Sequence, residues 1–422
     1  MRKKTYPLVY AGKKQPFAKS VVAGNLVFLS GANGQTVETG EVSSDNVKEQ
    51  MIVALDKMRV AMEEAGSSMN NVVKTIMCLR HVKDYSIMRK TELEYYQKHA
   101  PLLVEDPPAS TFAQVNMQKP GNLIEIDAIG AVSRNMPGWE VTLNPSYYGG
   151  VKRAYPYVTP GQPTFSKSAV VGNLAFFSGL GPPALDSFEV KTSVFEEQMA
   201  VTLDKIKLAL EEAGSAMGNI IKATPFLMNM ENIPRMQKSE LEYYKKHAPR
   251  LIEEPPACTL LQPHALARAA YMIETEIIGV LSRDKPSWEV KTYPMVYAGK
   301  KQPFSKLVVV GDLVFLSGST GRNLETGEVS SNNVSRQTIV ALDKIRAALE
   351  ETGSSMENIV KTVICLKHES DYEVMRQTEL EYYKKYAPRL LEEPPASTFL
   401  GVASLARPDI LVEIEVVAVI PR

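Results

Sequence analysis

The chain has 422 residues, 44% hydrophobic and 23% charged, the profile of a folded globular protein and too long for one ordinary core. Lys plus Arg and Asp plus Glu both number 48, so the net charge is zero and gives no general attraction to nucleic acid or an anionic membrane. Five histidines and three cysteines (Cys78, Cys258, Cys365), with no C-x-x-C, leave little for a zinc site or a disulfide framework, and no metal or cofactor is expected.

The opening Met1–Pro7 is basic but has no apolar core of a signal peptide. No apolar run approaches the roughly 18 residues a membrane span needs. A cytoplasmic protein with reduced, buried thiols is expected. Lys19–Ala23 and Leu26–Ser30 are short apolar runs joined by Gly24-Asn25, a β-hairpin with a tight turn. Asp45 or Asn46 caps a helix whose apolar face includes Met51, Leu55, Met58 and Met62, and Gly66 stops it. Asn71–Leu79 reads as a strand. Asp84 opens a second helix through Met88, Leu93, Tyr95 and Tyr96, closed by His99-Ala100-Pro101. Ala109–Val115 and Leu123–Val132 are two further strands, the last alternating in Glu125-Ile126-Asp127-Ala128.

This β-β-α-β-α-β-β order occurs three times. Glu105-Asp106-Pro107-Pro108-Ala109-Ser110-Thr111-Phe112 returns as Glu253-Glu254-Pro255-Pro256-Ala257-Cys258-Thr259-Leu260 and as Glu392-Glu393-Pro394-Pro395-Ala396-Ser397-Thr398-Phe399. Ser30-Gly31, Ser178-Gly179 and Ser317-Gly318 match, as do Phe17-x-Lys19, Phe165-x-Lys167 and Phe304-x-Lys306. The offsets of 148 residues (Ser30 to Ser178) and 139 (Ser178 to Ser317) are domain-sized, too long for a solenoid. Domains are therefore placed at 1–134, 164–283 and 303–422, with linkers at 135–163 and 284–302. The first linker contains a loop-rich spacer, Asn144–Gly150. Trp139 and Trp288, just after the first two copies, are read as anchors packing the linkers. The second copy diverges: Pro182-Pro183-Ala184-Leu185-Asp186 replaces a Glu-Thr-Gly-Glu turn, and Asn229 stands where the others have His81 and His368. An α+β unit of this order has a mixed sheet with helices on one face. Three such sheets in one chain can cover one another's second face, as an intramolecular pseudo-trimer around a sheet-lined centre. A monomer is the default; stacking of two chains stays open.

The Pro-Phe before the first hairpin, the Ser-Gly ending its second strand, the Pro-Ala-x-Thr strand and the final Ile-Glu-Ile-Asp/Glu strand resemble the YjgF/RidA (reactive intermediate deaminase) superfamily, three times over. The resemblance implies chorismate-mutase-like domains with clefts between neighbours. It also implies hydrolysis of enamines or imines to 2-oxo acids and ammonia, with an arginine of the Pro-Ala-Arg strand holding the substrate carboxylate through its donor fork. Ser110, Cys258 and Ser397 stand at that position, so the arginine is absent from every copy.

By the same resemblance Glu125, Glu274 and Glu413 on the last strand position water or substrate; a carboxylate in a partly apolar cleft suits acid-base work. They form the expected catalytic set with Ser110, Cys258 and Ser397, against an alternative of solvated or ion-paired strand glutamates. No histidine lies in the Ser110 or Ser397 strand, and His264 near Cys258 is alone, so a nucleophilic role lacks its base. The expected substrate-binding set is Phe17, Phe165 and Phe304; Lys19, Lys167 and Lys306; Ser30-Gly31, Ser178-Gly179 and Ser317-Gly318; Arg89 and Arg376 on the second helix; and Phe112 and Phe399. Each lysine shares a strand face with its phenylalanine, two residues away, and could replace the missing anion holder, or could guard a sheet edge. The helix arginines could do so too, or be solvated; the second copy has Gln237 there. Thr111, Thr259 and Thr398 are read as packing residues.

Three functions remain open from sequence. One is a hydrolase of C–N bonds in small imines or enamines that departs from the family's usual carboxylate contact, or a lyase or hydrolase of another small carboxylated metabolite. The second is a non-catalytic metabolite-binding protein. The third, ribonuclease activity, is opposed by the balanced charge. The expected partner is a small molecule.

Overall fold

The computed structural model describes residues 1–145, 147–148, 151–152, 165–184 and 189–421. The spacer at 144–150, the joint up to Pro163 and the turn at 182–186 lie partly or wholly outside them.

Each copy forms the expected unit. In the first, strand Lys13–Ala23 turns at Gly24 (φ +60°) into Leu26–Leu29, followed by helix Val47–Glu64, strand Val72–Leu79, helix Tyr85–His99, and strands Ala109–Gln114 and Ile124–Ala131. Asn46, not Asp45, caps the first helix by accepting from the Lys48 backbone N–H. In the second copy the Pro-Ala strand is split into Ala257–Cys258 and Leu261–Gln262.

The joints are not all loop. Val290–Tyr297, in the second joint, pairs antiparallel with Lys300–Val310, as Lys3–Tyr10 at the head of the first domain does with Lys13–Ala23. Their two-residue turns, Ala11-Gly12 and Ala298-Gly299, have positive φ at both positions (+47°, +73° and +48°, +72°), the backbone of a type I′ hairpin. Val141–Pro145, in the other joint, pairs with Ser166–Val171. Stretches read as linkers thus add an outer strand to the sheets. Trp139 and Trp288 pack against each other with their planes tilted by 60° and ring centroids 4.5 Å apart, at the edge of the shared core.

The three sheets join head to tail. Ala18 pairs with Ala396, Ser166 with Ala109 and Ser305 with Ala257, each a parallel contact between neighbouring copies. The ring is closed. Each copy has its own core between sheet and helices. Inside the ring, Val21, Phe28, Phe176, Ile221, Phe315 and Val360, from all three copies, form a common core. A second shared cluster holds Cys78, Phe226 and Cys365.

One polar layer crosses this centre. Lys361 donates to Asp127 (3.0 Å) and Thr398 (2.7 Å), and to the backbone carbonyl of Leu29. Lys74 meets Glu276 at 2.6 Å, Thr111, and the carbonyl of Phe177. Lys222 meets Glu415 at 2.8 Å, Thr259, and the carbonyl of Leu316. Each interface thus carries one buried lysine that reaches a neighbour's last strand. The threonines, expected to be packing residues, serve these bridges. No helix among the described residues is long and apolar enough to cross a membrane.

Candidate functional site

The site is built where two copies are zipped together. The backbone N–H of Ser397 donates to Ser30 Oγ (2.7 Å), and that hydroxyl donates to the Ala18 carbonyl. Gly31 N–H donates to the Ser397 carbonyl (3.1 Å). The same clips join Ser178-Gly179 to Ser110 and Ser317-Gly318 to Cys258. The three serines are buried, and each clips one interface.

Their glycines have a separate cause. A Cβ on Gly31 would lie 2.1 Å from Glu125 Oε1; on Gly179 it would lie 2.0 Å from Glu274 Oε1; on Gly318, 1.8 Å from Glu413 Oε1. Each glutamate lies across the bare glycine backbone. Glu125 Oε1 also accepts from the N–H of Phe399 on the neighbouring copy (3.2 Å). Burial pushes Glu125 and Glu274 up to about 7 and Glu413 up to about 8.

Between the first and third copies the cleft is about 410 Å³. Its walls include Phe17, Gly31 and Glu125 from one side and Tyr372, Arg376, Ser397 and Phe399 from the other. Arg376 comes from the second helix, and its guanidinium donates to Ser397 Oγ at 3.2 Å. It is ion-paired with Glu379 and lies 5.6 Å from the Phe17 ring centroid and 5.3 Å from that of Tyr372. The second and first copies repeat this. Arg89 donates to Ser110 Oγ (3.1 Å), pairs with Glu92 at 2.9 Å, and lies 5.7 Å from the Phe165 ring centroid. Both arginines are buried. The helix thus delivers a guanidinium to the strand serine.

Ser110 and Ser397 hydroxyls each accept twice, from Arg89 and Thr75 and from Arg376 and Thr362. These neighbours are donors, not bases, so the hydroxyls are placed for hydrogen bonding rather than attack. Burial holds the Cys258 thiol well above its ordinary range, in the neutral form.

Lys19, Lys167 and Lys306 do not join the arginine-bearing walls. Lys19 pairs with Glu64 at 2.6 Å, Lys167 with Glu212 and Lys306 with Glu351, at the ends of the first helices. A neighbouring acid already meets each ammonium. Phe112 and Phe399 pack edge-on against Tyr85 and Tyr372, at centroid distances of 5.0 and 5.1 Å.

Several cleft residues lay outside the sequence reading. Tyr10, Asn33 and Gln35 line the wall beside Glu125. Behind them Lys57 donates to Asn33 Oδ1 (2.9 Å), the Gln35 carbonyl (3.0 Å) and Tyr10 OH (3.1 Å). Burial lowers Lys57 to about 7, opposed by nearby Glu125. The available signal was the recurrence of Leu-Asp-Lys at 55–57, 203–205 and 342–344.

The third cleft, between the second and third copies, keeps Glu413 but changes its walls. Gln237, Cys258 and Leu260 replace the arginine, serine and phenylalanine. Glu240, the counterpart of Glu92 and Glu379, has no arginine at Gln237, and burial pushes it up to about 7.

Three fused units sharing one core, with a buried glutamate against a bare glycine at each interface, define a single-chain trimer. A family model described as endoribonuclease L-PSP matches residues 11–132, 160–281 and 298–420. The chain belongs to that family, the YjgF/RidA superfamily. A RutC family protein of Pyrococcus abyssi is 32% identical over 116 residues, covering 28% of this chain and 85% of that protein. A 2-iminobutanoate/2-iminopropanoate deaminase of Dermatophagoides farinae is 30% identical over 118 residues, covering 28% and 86%. Among solved structures, a chorismatase matches with a TM-score of 0.53 at 12% identity, over 83% of this chain and 93% of that one, a likeness of fold.

Proposed function

We propose that this protein hydrolyses small imines or enamines bearing a carboxylate, in the manner of the deaminases it is similar to, with helix arginines in place of the strand arginine. The observation that carries the reading is Arg376 on Ser397, with its counterpart Arg89 on Ser110. A guanidinium stands beside the strand position where the resemblance calls for one. The ion pairs with Glu379 and Glu92 hold it in place and offset part of its charge, while its fork still offers donors to a second carboxylate.

In this reading the substrate carboxylate lies toward Arg376 and the C=N carbon toward Glu125. Glu125 accepts a proton as water adds to the carbon of the protonated imine, giving a carbinolamine. It returns that proton to nitrogen, the C–N bond breaks as Glu125 takes up the hydroxyl proton, and a 2-oxo acid and ammonia leave, the last proton passing to the ammonia as ammonium. Water supplies the oxygen, and no oxidant or reductant is required. A carboxyl group near 7 is matched to both halves of this exchange at neutral pH. The Arg376 and Arg89 clefts share the arrangement.

The test is ammonia release from 2-iminobutanoate generated in the assay by an amino-acid oxidase or a dehydratase. Wild type should accelerate it over buffer. Arg89→Gln with Arg376→Gln should lower kcat/KM about tenfold or more, the worth of a charged hydrogen bond. Glu125→Gln, Glu274→Gln and Glu413→Gln together should lower kcat about 100-fold or more. A wild-type rate equal to buffer, or full activity in the double arginine variant, would sink the proposal.

A further inference from the structure

The third cleft has lost one arginine and gained another on the opposite wall. In the first copy Gln35 donates from its side chain to the Gly40 carbonyl (2.8 Å) and lines the cleft. In the third copy Arg322 holds that place, its Nε donating to the Gly327 carbonyl (3.0 Å). The guanidinium carbon lies 4.1 Å from the ring centroid of Tyr297, the counterpart of Tyr10. Unlike Arg89 and Arg376, Arg322 makes no ion pair among the described residues.

Two further groups here have polar capacity left over. Glu413 is 4% exposed, and its Oε2 has no hydrogen-bond partner among the described residues. Lys344 has lost acceptors. Its counterpart Lys57 has three, whereas Lys344 reaches Tyr297 OH at 3.3 Å and Thr320 stands where Asn33 stood. Across the gap, Cys258 and Leu260 present an apolar surface where the other clefts carry serine and phenylalanine. A guanidinium without an ion pair among the described residues, an ammonium with one acceptor, and a buried carboxyl gather around Tyr297.

We propose that the cleft between the second and third copies binds a small 2-oxo or 2-imino acid in the reverse orientation, its carboxylate on Arg322 and its alkyl end against Cys258 and Leu260. In the other two clefts, on the reading above, the carboxylate faces the second helix. This inference rests on that reading only in taking the guanidinium to mark the carboxylate end. The third cleft then differs from its neighbours in the direction it presents the C=N or C=O carbon to its glutamate.

The test uses 2-oxobutanoate as probe on the full chain, by calorimetry and by soaking crystals. Arg89→Gln with Arg376→Gln places in two copies the glutamine that the second copy already carries at 237. This variant should keep one binding event per chain, with the carboxylate at Arg322 in the soaked crystal. Adding Arg322→Gln, the residue found at position 35, should weaken that event about tenfold or more, and Arg322→Lys should restore part of it. Residual binding indifferent to Arg322→Gln, or a carboxylate seated at Gln237, overturns the inference. So does a folded Arg89→Gln, Arg376→Gln protein that binds nothing. If the arginine pair leaves binding and turnover unchanged while Arg322→Gln removes one site, the reading of the other two clefts fails and this one stands.

Discussion

Glutamine at 237 leaves a measurable trace, because Glu240 keeps its place without the arginine. Arg89–Glu92 and Arg376–Glu379 are buried pairs three residues apart on a helix turn. In the second copy burial alone acts on Glu240 and lifts it from 4.5 to about 7. At about 1.4 kcal/mol per unit, ionising Glu240 in the fold costs up to about 3 kcal/mol more than in the unfolded chain. A carboxyl whose folded pKa is raised binds more protons when folded than when unfolded. Its contribution is therefore favourable below about pH 4.5 and is lost as pH rises through 7. Gln237→Arg supplies the missing cation and should remove that loss. Heat denaturation followed by circular dichroism at pH 5 and pH 8.5 reads the difference. With an unfolding entropy of about 2.1 cal/mol/K per residue, 3 kcal/mol corresponds to about 3 °C if the whole chain unfolds as a unit. The variant's Tm should gain about that much on wild type at pH 8.5 and little at pH 5, and Glu240→Gln should show the same pattern. An equal gain at both pH values, or none for either variant, would refute the account of Glu240.

Two further outcomes follow from other parts of the site. Gly31→Ala puts a methyl where Glu125 Oε1 lies 2.1 Å away, so the carboxylate must leave its seat. Carboxyl-carbon NMR should show Glu125, which burial pushes up to about 7, falling toward 4.5, and an unchanged titration would count against this packing. Lys361→Met leaves Asp127 buried without its ammonium, a loss of about 3–5 kcal/mol that Lys361→Met with Asp127→Asn should largely recover. Equal stability of wild type and the single variant, by urea titration, would mean the bridge contributes nothing to ring closure.

The fold was legible because the same phrase recurs three times and each unit's apolar periods agree with its turns. What escaped was structure whose local signal is weak. Ala298-Gly299 makes a type I′ turn although alanine is uncommon at positive φ, so the strand before it, Val290–Tyr297, read as linker. Val141–Pro145 was hidden in the same way, since an edge strand takes its pairing from a distant partner. The glutamates were legible through resemblance, but their seating on Gly31, Gly179 and Gly318 needed three-dimensional contact. Lys57 beside Asp56 looks like a charged helix face, and only the sheet beneath reveals that it points inward. Lys74, Lys222 and Lys361 did carry a signal: each interrupts an apolar strand at the same place, where a charge has to meet a partner. Nothing near Lys19 in the sequence points to Glu64, 45 positions away, which meets its ammonium.

Fusion explains why the clefts can differ. In a trimer of identical chains, any substitution on the second helix enters all three clefts at once, so losing the arginine there would remove every copy of it. In one chain Gln237 affects one cleft and leaves Arg89 and Arg376 in place. The interface clips through Ser30, Ser178 and Ser317 and the lysine bridges across the centre are kept in all three copies, because the ring needs every joint. The groups facing each cleft carry no such requirement. Arg322 occurs only in the third copy, whose cleft faces Gln237 and Cys258, so the change of guanidinium falls on both walls of a single cleft. Paired changes across one interface are what a cleft adapting to its own ligand requires. Decay of an idle cleft would account for the loss of an arginine at 237 but gives no reason for a new, unpaired one at 322 on the facing wall.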